Sequence, residues 1–431
     1  MQASAFRLVS LVVVLAVVAG TMAGCAPPGG AVGAEEARSD KPRLAPAGQV
    51  QLPALVQGNS EFALGLYGAL FDKEANLFYS PYSISLALAM TYAGARGDTE
   101  REMARALRFT LPQEQLHPAF SALDQALASR GQQIKKEQGE RFRLSVANAL
   151  WGQQGFSFQP AFLDLLAQNY GAGLRLLDFQ NAPEPARQAI NRWVEEQTED
   201  KIKDLLPEGS IDPDTRLVLS NAVYFNAGWM HPFVEGATQD GAFHLLDGNT
   251  VTVPLMRLDE RLGYGEGQGY QAVELPYVGG ELAMVVLLPA DGNFEAFAKA
   301  LDAARLSVVL QGIQRNQVTL TLPKFKYESG VQLKDALSDL GMKEAFSRTA
   351  DFSGMTGRKD LYVDEVYHKA FVAVDEKGTE AAAATAVVMD LVSAPAQGPK
   401  EVRVDRPFIF LVRDVQTGSI LFLGHVVNPA K

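Results

Sequence analysis

A mixed α+β architecture, with helices first and strands later, is what this sequence predicts. Apolar residues recur at helical spacing over residues 60–102. Runs rich in β-branched residues or in alternation dominate beyond residue 270. The 431-residue chain is 47% hydrophobic, which is ample for a sizeable core. Size alone admits one large domain or two ordinary ones.

The elements follow in order. Ser60 is expected as a helix N-cap, with Phe62, Leu66 and Leu70 repeating on one face. Ser83 is expected to cap a second helix carrying Ile84, Ala87, Leu88 and Thr91. Thr99-x-x-Glu102 reads as a capping box for a third. Gln271–Leu275, Ala283–Leu288 and Val318–Leu322 read as strands, as do Ala370–Val374 and Phe408–Val412.

The N-terminus has its own chemistry. Arg7 precedes an apolar run from Leu8 to Val18 that is too short to span a bilayer comfortably. It ends in Met22-Ala23-Gly24-Cys25, which resembles a bacterial lipobox. Residues 1–24 are then a signal peptide, and Cys25, the single cysteine, carries a diacylglycerol anchor. An ordinary secretory signal cleaved nearby is the plainer alternative. Residues 25–55, rich in Pro, Gly, Ala and charge without a hydrophobic period, read as a flexible tether ahead of one domain at 56–431. The expected location is the cell envelope or outer surface of a bacterium, and Ala26 in place of Asp would favour the outer membrane where there are two. With Cys25 lipidated no thiol remains for a disulfide, so stability must come from packing.

The formal charge of −11 and the lack of a Lys/Arg cluster argue against nucleic-acid or heparin-like partners. Gly-x-Ser-x-Gly, His-Glu-x-x-His, Walker-type and Cys-x-x-Cys motifs are missing, so no catalytic residue, metal site or cofactor is expected. Gly263, Gly265, Gly267 and Gly269 are evenly spaced but lack the strand-turn-helix context of a phosphate loop.

Between the last two strand runs, where a turn would suffice, lies Glu376-Lys377-Gly378-Thr379-Glu380-Ala381-Ala382-Ala383-Ala384-Thr385. A marginal Ala-rich helix is one reading. A segment built to slide between two strands is the other, because it needs small inward side chains and a Gly pivot. Period-two alternation then turns Thr379, Ala381, Ala383 and Thr385 inward and Glu380 to solvent.

Several motifs decide between these readings. The segment just described, Ser80-Pro81-Tyr82-Ser83-Ile84, Asn191-x-Trp193-Val194 with Thr198-x-x-Lys201-Ile202, and Ser220-Asn221-Ala222-Val223-Tyr224-Phe225 with Trp229 all stand in family order. Glu274-Leu275-Pro276-Tyr277, Leu322-Pro323-Lys324-Phe325 and Asp405-Arg406-Pro407-Phe408 follow. Over roughly residues 60–429 the chain resembles the serpin family.

The resemblance implies helices packed around a large mixed main sheet plus two smaller sheets, with an exposed reactive-centre loop over about 376–404. It implies a shutter at Ser80, Ser83, Asn221 and His368, a breach at Trp229 and Glu376, and a hinge from Glu376 to Thr385. Counting roughly sixteen residues on from Glu376 places the scissile bond at Val392-Ser393. The loop is a few residues longer than is usual, so Leu391 and Met389 are neighbouring candidates. Val392 suits an elastase-like pocket, whereas Leu391 or Met389 suits chymotrypsin- or subtilisin-like ones. Trypsin-like targets are disfavoured, since the nearest downstream base, Lys400, lies beyond Pro395 and Pro399. The implied partner is a serine protease captured covalently by a monomer. The alternative is a non-inhibitory member acting as carrier, chaperone or protease substrate. Two departures stand out, Asp200 in place of a usual Gly and Asn226-Ala227-Gly228 before Trp229. Neither is expected to touch the hinge.

Overall fold

The computed structural model describes residues 34–45, 51–132, 142–379 and 398–431. In chain order it contains β1 (Glu35–Ala37), α1 (Leu52–Leu70), β2 (Leu77–Tyr79), α2 (Pro81–Tyr92), α3 (Gly97–Ala106), α4 (Gln113–Ala128), β3 (Arg143–Gln153), α5 (Pro160–Tyr170), β4 (Leu174–Leu177), α6 (Pro183–Gln197) and β5 (Leu217–Gly228). Then follow β6 (Gln239–His244), β7 (Thr250–Gly267), β8 (Tyr270–Pro276), β9 (Leu282–Pro289), α7 (Phe294–Lys299), α8 (Ala303–Gln311), β10 (Gln314–Pro323), β11 (Phe325–Gln332), β12 (Glu365–Val374), β13 (Gly378–Thr379), β14 (Lys400–Arg403), β15 (Phe408–Asp414) and β16 (Ile420–Val426).

The helices form where their apolar faces can be buried, and this shifts their starts from the expected caps. α1 begins at Leu52, and Ser60 lies inside it with its hydroxyl donating to Val56 O at 2.9 Å. Ser80, not Ser83, caps α2, its Oγ accepting from the Ser83 amide at 3.2 Å. Thr99 and Glu102 form no capping box. Thr99 Oγ1 accepts from the Asp351 amide at 2.8 Å, and Glu102 Oε2 accepts from the amides of Lys343 (2.9 Å) and Glu344 (2.7 Å). Tertiary partners outcompete the local cap at both residues.

The main sheet has seven strands in the order β1-β4-β3-β5-β13-β12-β11, and β5 also pairs directly with β12. It is mixed: β3–β4 and β5–β12 are parallel, and the other pairs are antiparallel. β5 is buried on both faces, so it reads as a nearly unbroken apolar run. Leu217, Leu219, Val223 and Phe225 join the large core on one side, while Val218, Ala222 and Tyr224 pack with Ile190 and Val194 of α6 on the other.

The two smaller sheets expected from the resemblance are joined into one nine-stranded ladder, β14-β10-β7-β8-β9-β15-β16-β2 with β6 on β7. The cause is the length of β7, whose first residues, Thr250–Leu255, pair with β6 and whose last, Gly263–Gly267, pair with β8, while β10 runs along its other edge.

Part of the expected tether is bound to the domain. β1 pairs antiparallel with β4 at the edge of the main sheet. Beyond it, Ser39 Oγ donates to Asp164 at 2.6 Å, Lys41 Nζ lies 2.7 Å from the same carboxylate, and Arg43 Nη2 lies 2.7 Å from Asp124. Leu44 N donates to Gln168 O at 2.8 Å. Backbone pairing and ion pairs, not an apolar stripe, hold this segment, which is why no hydrophobic period marked it. Cys25 lies outside the described residues.

After α6 the chain turns through Glu199 and Asp200, with φ of +52° and +60°. These are left-handed values, which cost an L-residue roughly 1–2 kcal/mol and a glycine nearly nothing. The usual Gly at position 200 is thereby explained. Asp200→Gly is expected to stabilise the native state by about 0.5–1 kcal/mol, net of glycine's greater unfolded-state freedom. A thermal or urea midpoint at or below that of the parent chain would contradict this.

Candidate functional site

Between β5 and β12 the sheet is closed along most of its length and wedged open at one end. Glu365–Phe371 pairs parallel with Val218–Tyr224. Beyond that point Gly378 pairs with Gly228 and Thr379 with Ala227, both antiparallel, and Thr379 also pairs with Val374. β13 is thus a two-residue wedge between the two strands.

Beneath the closed part, the structure brings Ser80, Ser83, Asn221 and His368 together, all at most 1% exposed. His368 Nδ1 faces Asn221 Oδ1 in a short contact, and Ser80 N donates to His368 Nε2 at 3.2 Å. Because Nε2 must accept, the proton sits on Nδ1 and the ring is neutral. Burial agrees, lowering the His368 pKa to about 3. Asn221 Nδ2 donates to Ser83 Oγ at 2.7 Å, and Ser80 Oγ donates to Leu421 O at 2.7 Å. A fifth member, Asn148 of β3, was not expected. Its Oδ1 accepts from Ser83 Oγ at 2.9 Å and from Asn221 Nδ2, and its Nδ2 donates to Ser83 O at 3.1 Å. A polar residue inside the apolar alternation Ala147-Asn148-Ala149-Leu150-Trp151 was the available signal. The network ties β3, β5, β12 and α2 together through single hydrogen bonds, each worth roughly 1 kcal/mol net and costly to leave unmade.

At the wedge, Trp229 Nε1 donates to Asp375 O at 3.0 Å, Trp229 N to Lys377 O at 2.8 Å, and Phe233 N to Glu376 O at 2.9 Å. Glu376 Oε2 lies 2.6 Å from Lys324 Nζ, and Oε1 accepts from Thr238 Oγ1 at 2.7 Å. Burial pushes the Glu376 carboxyl up, yet the bonds from Lys324 and Thr238 leave it below its ordinary range. Lys324 stood in a quoted motif, but its partner lies across the fold. Asn226-Ala227-Gly228, expected to be remote from the hinge, instead supplies the edge that Gly378 and Thr379 pair with. The remaining hinge residues Glu380, Ala381, Ala382, Ala383, Ala384 and Thr385, and the bait candidates Met389, Leu391, Val392 and Ser393, lie outside the described residues. Among the described residues no group of three or more His, Asp or Glu side chains is arranged to hold a metal.

The comparisons agree with this geometry. A family model described as Serpin (serine protease inhibitor) matches residues 57–429. An uncharacterized serpin-like protein of Thermococcus kodakarensis is 41% identical over 377 residues, covering 87% of this chain and 86% of its own. Leukocyte elastase inhibitor of Bos taurus is 38% identical, covering 87% of this chain and 99% of its own. Among solved structures, the thermophilic serpin tengpin in its native state superposes with a TM-score of 0.80 at 28% identity, covering 92% of this chain and all of that one. Uncleaved ovalbumin superposes at 0.77 with 25% identity, covering 87% of this chain and all of that one. The chain belongs to the serpin family. It therefore has the serpin fold and comes from a group of serine protease inhibitors rather than of catalysts.

Two measurements probe the site. Glu376→Lys sets two ammonium groups against each other at the Lys324 contact and is expected to destabilise the native state by about 1–3 kcal/mol. An unchanged thermal midpoint would count against the pairing. The second concerns pH. Burial holds both His117 and His368 at about 3, against 6.5 when exposed, so the unfolded chain takes up their protons first. Their stabilising contribution is complete above pH 6.5 and is lost as pH falls from 6.5 toward 3. His368→Asn should reduce the slope of stability against pH in that window by about one proton, read from denaturant midpoints.

Proposed function

We propose that this chain inhibits serine proteases by suicide trapping. The protease's serine Oγ attacks the carbonyl carbon of Val392, the Val392–Ser393 amide breaks, an ester forms, and the proton goes to the Ser393 amine. Leu391 or Met389 can serve as the bait in its place. The freed hinge side, Gly378 to Leu391, then inserts between β5 and β12 and carries the acylated protease to the far end of the sheet, where deacylation stalls. Loop insertion of this kind is a known strand-addition and stored-strain switch in the family.

The observation that supports this reading most is the wedge. β5 and β12 are parallel neighbours, and β13 already lies antiparallel to both. Extending it downward replaces one parallel pairing with two antiparallel ones, which are slightly more stable per residue, and buries small Ala and Thr side chains. The likeness to the leukocyte elastase inhibitors of cattle and of humans, 38% and 37% identical, favours an elastase-like target, as does Val at the bait position. A lipid on Cys25 would hold the inhibitor as a monomer at a bacterial cell envelope or outer surface, with capture occurring at the membrane.

Incubating the full chain with pancreatic elastase, chymotrypsin, subtilisin or trypsin tests this. The expected product is a denaturant-resistant band at the summed mass, with a released C-terminal peptide beginning at Ser393. Clean cleavage with every protease still active would instead mark a substrate-type, non-inhibitory serpin.

A further inference from the structure

The wedge has a specific anchor. Thr379 is 1% exposed, and its hydroxyl meets the Tyr277 hydroxyl at 2.7 Å beneath the sheet. Tyr277 is held firmly enough to act as a fixed point. Its ring stacks on Trp229 with centroids 4.6 Å apart and planes 11° apart, and meets Phe225 edge-on at 5.3 Å. Its backbone is fastened on both sides: Tyr277 N donates to Leu282 O at 3.0 Å, and the flanking bonds Met230 N to Pro276 O and Val278 N to Gly228 O are both 2.9 Å. The same Gly228 pairs with Gly378 of the wedge.

The chain reaches Tyr277 through a tight hairpin. Asp375 N donates to Gly378 O at 3.0 Å, and the Asp375 carboxylate accepts from the amides of Lys377 at 2.8 Å and Gly378 at 3.2 Å. The turn aims Thr379 inward, and two residues of the insertable segment already occupy the slot. Nothing in the acyl-enzyme chemistry requires this, since the bait lies well beyond. What it alters is where insertion starts.

We propose that Tyr277 is the positioning residue for loop insertion: its hydroxyl latches Thr379 in the slot and so biases each captured protease toward trapping rather than release. This rests on the inhibitory reading above. Without the latch, whichever of the two hydroxyls remained would be buried and unpaired while β13 stayed in the slot, which favours its withdrawal. Insertion would then start from an empty slot and compete less well with deacylation, while attack on the distant bait would be untouched.

The test uses the full chain and pancreatic elastase. Tyr277→Phe keeps the ring and its stack and removes only the oxygen. It should raise the moles of inhibitor cleaved and released without trapping, per mole of protease trapped, by about five- to tenfold, the factor one net buried hydrogen bond supplies, with the rate of loop cleavage unchanged. Hydrogen exchange over 376–379 should quicken in parallel. Thr379→Val should do the same. Thr379→Ser, which keeps the hydroxyl, should behave as the parent. The double variant Tyr277→Phe with Thr379→Val, which leaves neither hydroxyl unpaired, should be no worse than either single variant, as a pairwise contact demands. A trapping ratio unchanged in Tyr277→Phe, or additive effects in the double variant, would overturn the latch while leaving inhibition intact. A parent chain that forms no covalent complex at all would overturn the inhibitory reading and the latch with it.

Discussion

The direct parallel pairing of β5 with β12 is the contact on which the rest of the molecule depends. Both strands are interior strands of a sheet covered by α6 on one face and by the large core on the other. A pair so enclosed is not opened by water, because its amides would lose their partners and gain none. Only another strand can separate it without leaving orphaned donors. The fold provides one such strand, covalently continuous with β12 through the Asp375–Gly378 hairpin and already begun as β13.

That arrangement sets conflicting demands on the residues around it. For the insertion proposed above, the pair must stay closed until a strand arrives and must then part without breaking the core. Interlocked side chains would meet the first demand and fail the second, since packed interiors resist small displacements. A cluster of hydrogen bonds meets both. Ser80, Ser83, Asn148, Asn221 and a neutral His368 each hold through contacts near 3 Å that lapse once a strand moves by a few ångströms. Keeping His368 uncharged matters here, because an imidazolium would have no acceptor at Nε2, where the Ser80 amide donates.

The start of the hinge, Glu376 to Thr379, and four of the five clustered polar residues were legible from motif order, because a Gly pivot and buried hydroxyls are features of composition as much as of geometry. Asn148 and Tyr277 were not. Each sits in an otherwise ordinary strand motif, and what distinguishes it is a partner more than sixty residues away in the chain, Ser83 for one and Thr379 for the other. The segment 34–45 escaped for a different reason. It is held by edge pairing and by Asp164 and Asp124, and such contacts leave no hydrophobic period. Helix starts were misplaced where Ser60, Thr99 and Glu102 found tertiary or mid-helix partners instead of caps, since local propensity yields to packing when the two disagree.

The departure at Asn226-Ala227-Gly228 shows how sequence variation can act on one part of this device and spare another. These residues end β5, and they form the lip of the slot rather than its walls. In the insertion proposed above, the walls, from Val218 to Tyr224 and from Glu365 to Phe371, set how readily the new strand propagates, because every residue there must exchange its partner across the seam for one on that strand. On the same proposal, the lip sets only how far the loop rests inside before any cleavage. Gly228 is bonded both to the wedge and to the chain segment of Tyr277, so an altered lip changes the starting depth of the hinge directly. If insertion runs as proposed, substitutions at 226–228 can therefore shift the resting depth of the loop while leaving the propagation path, and the polar cluster beneath it, unchanged.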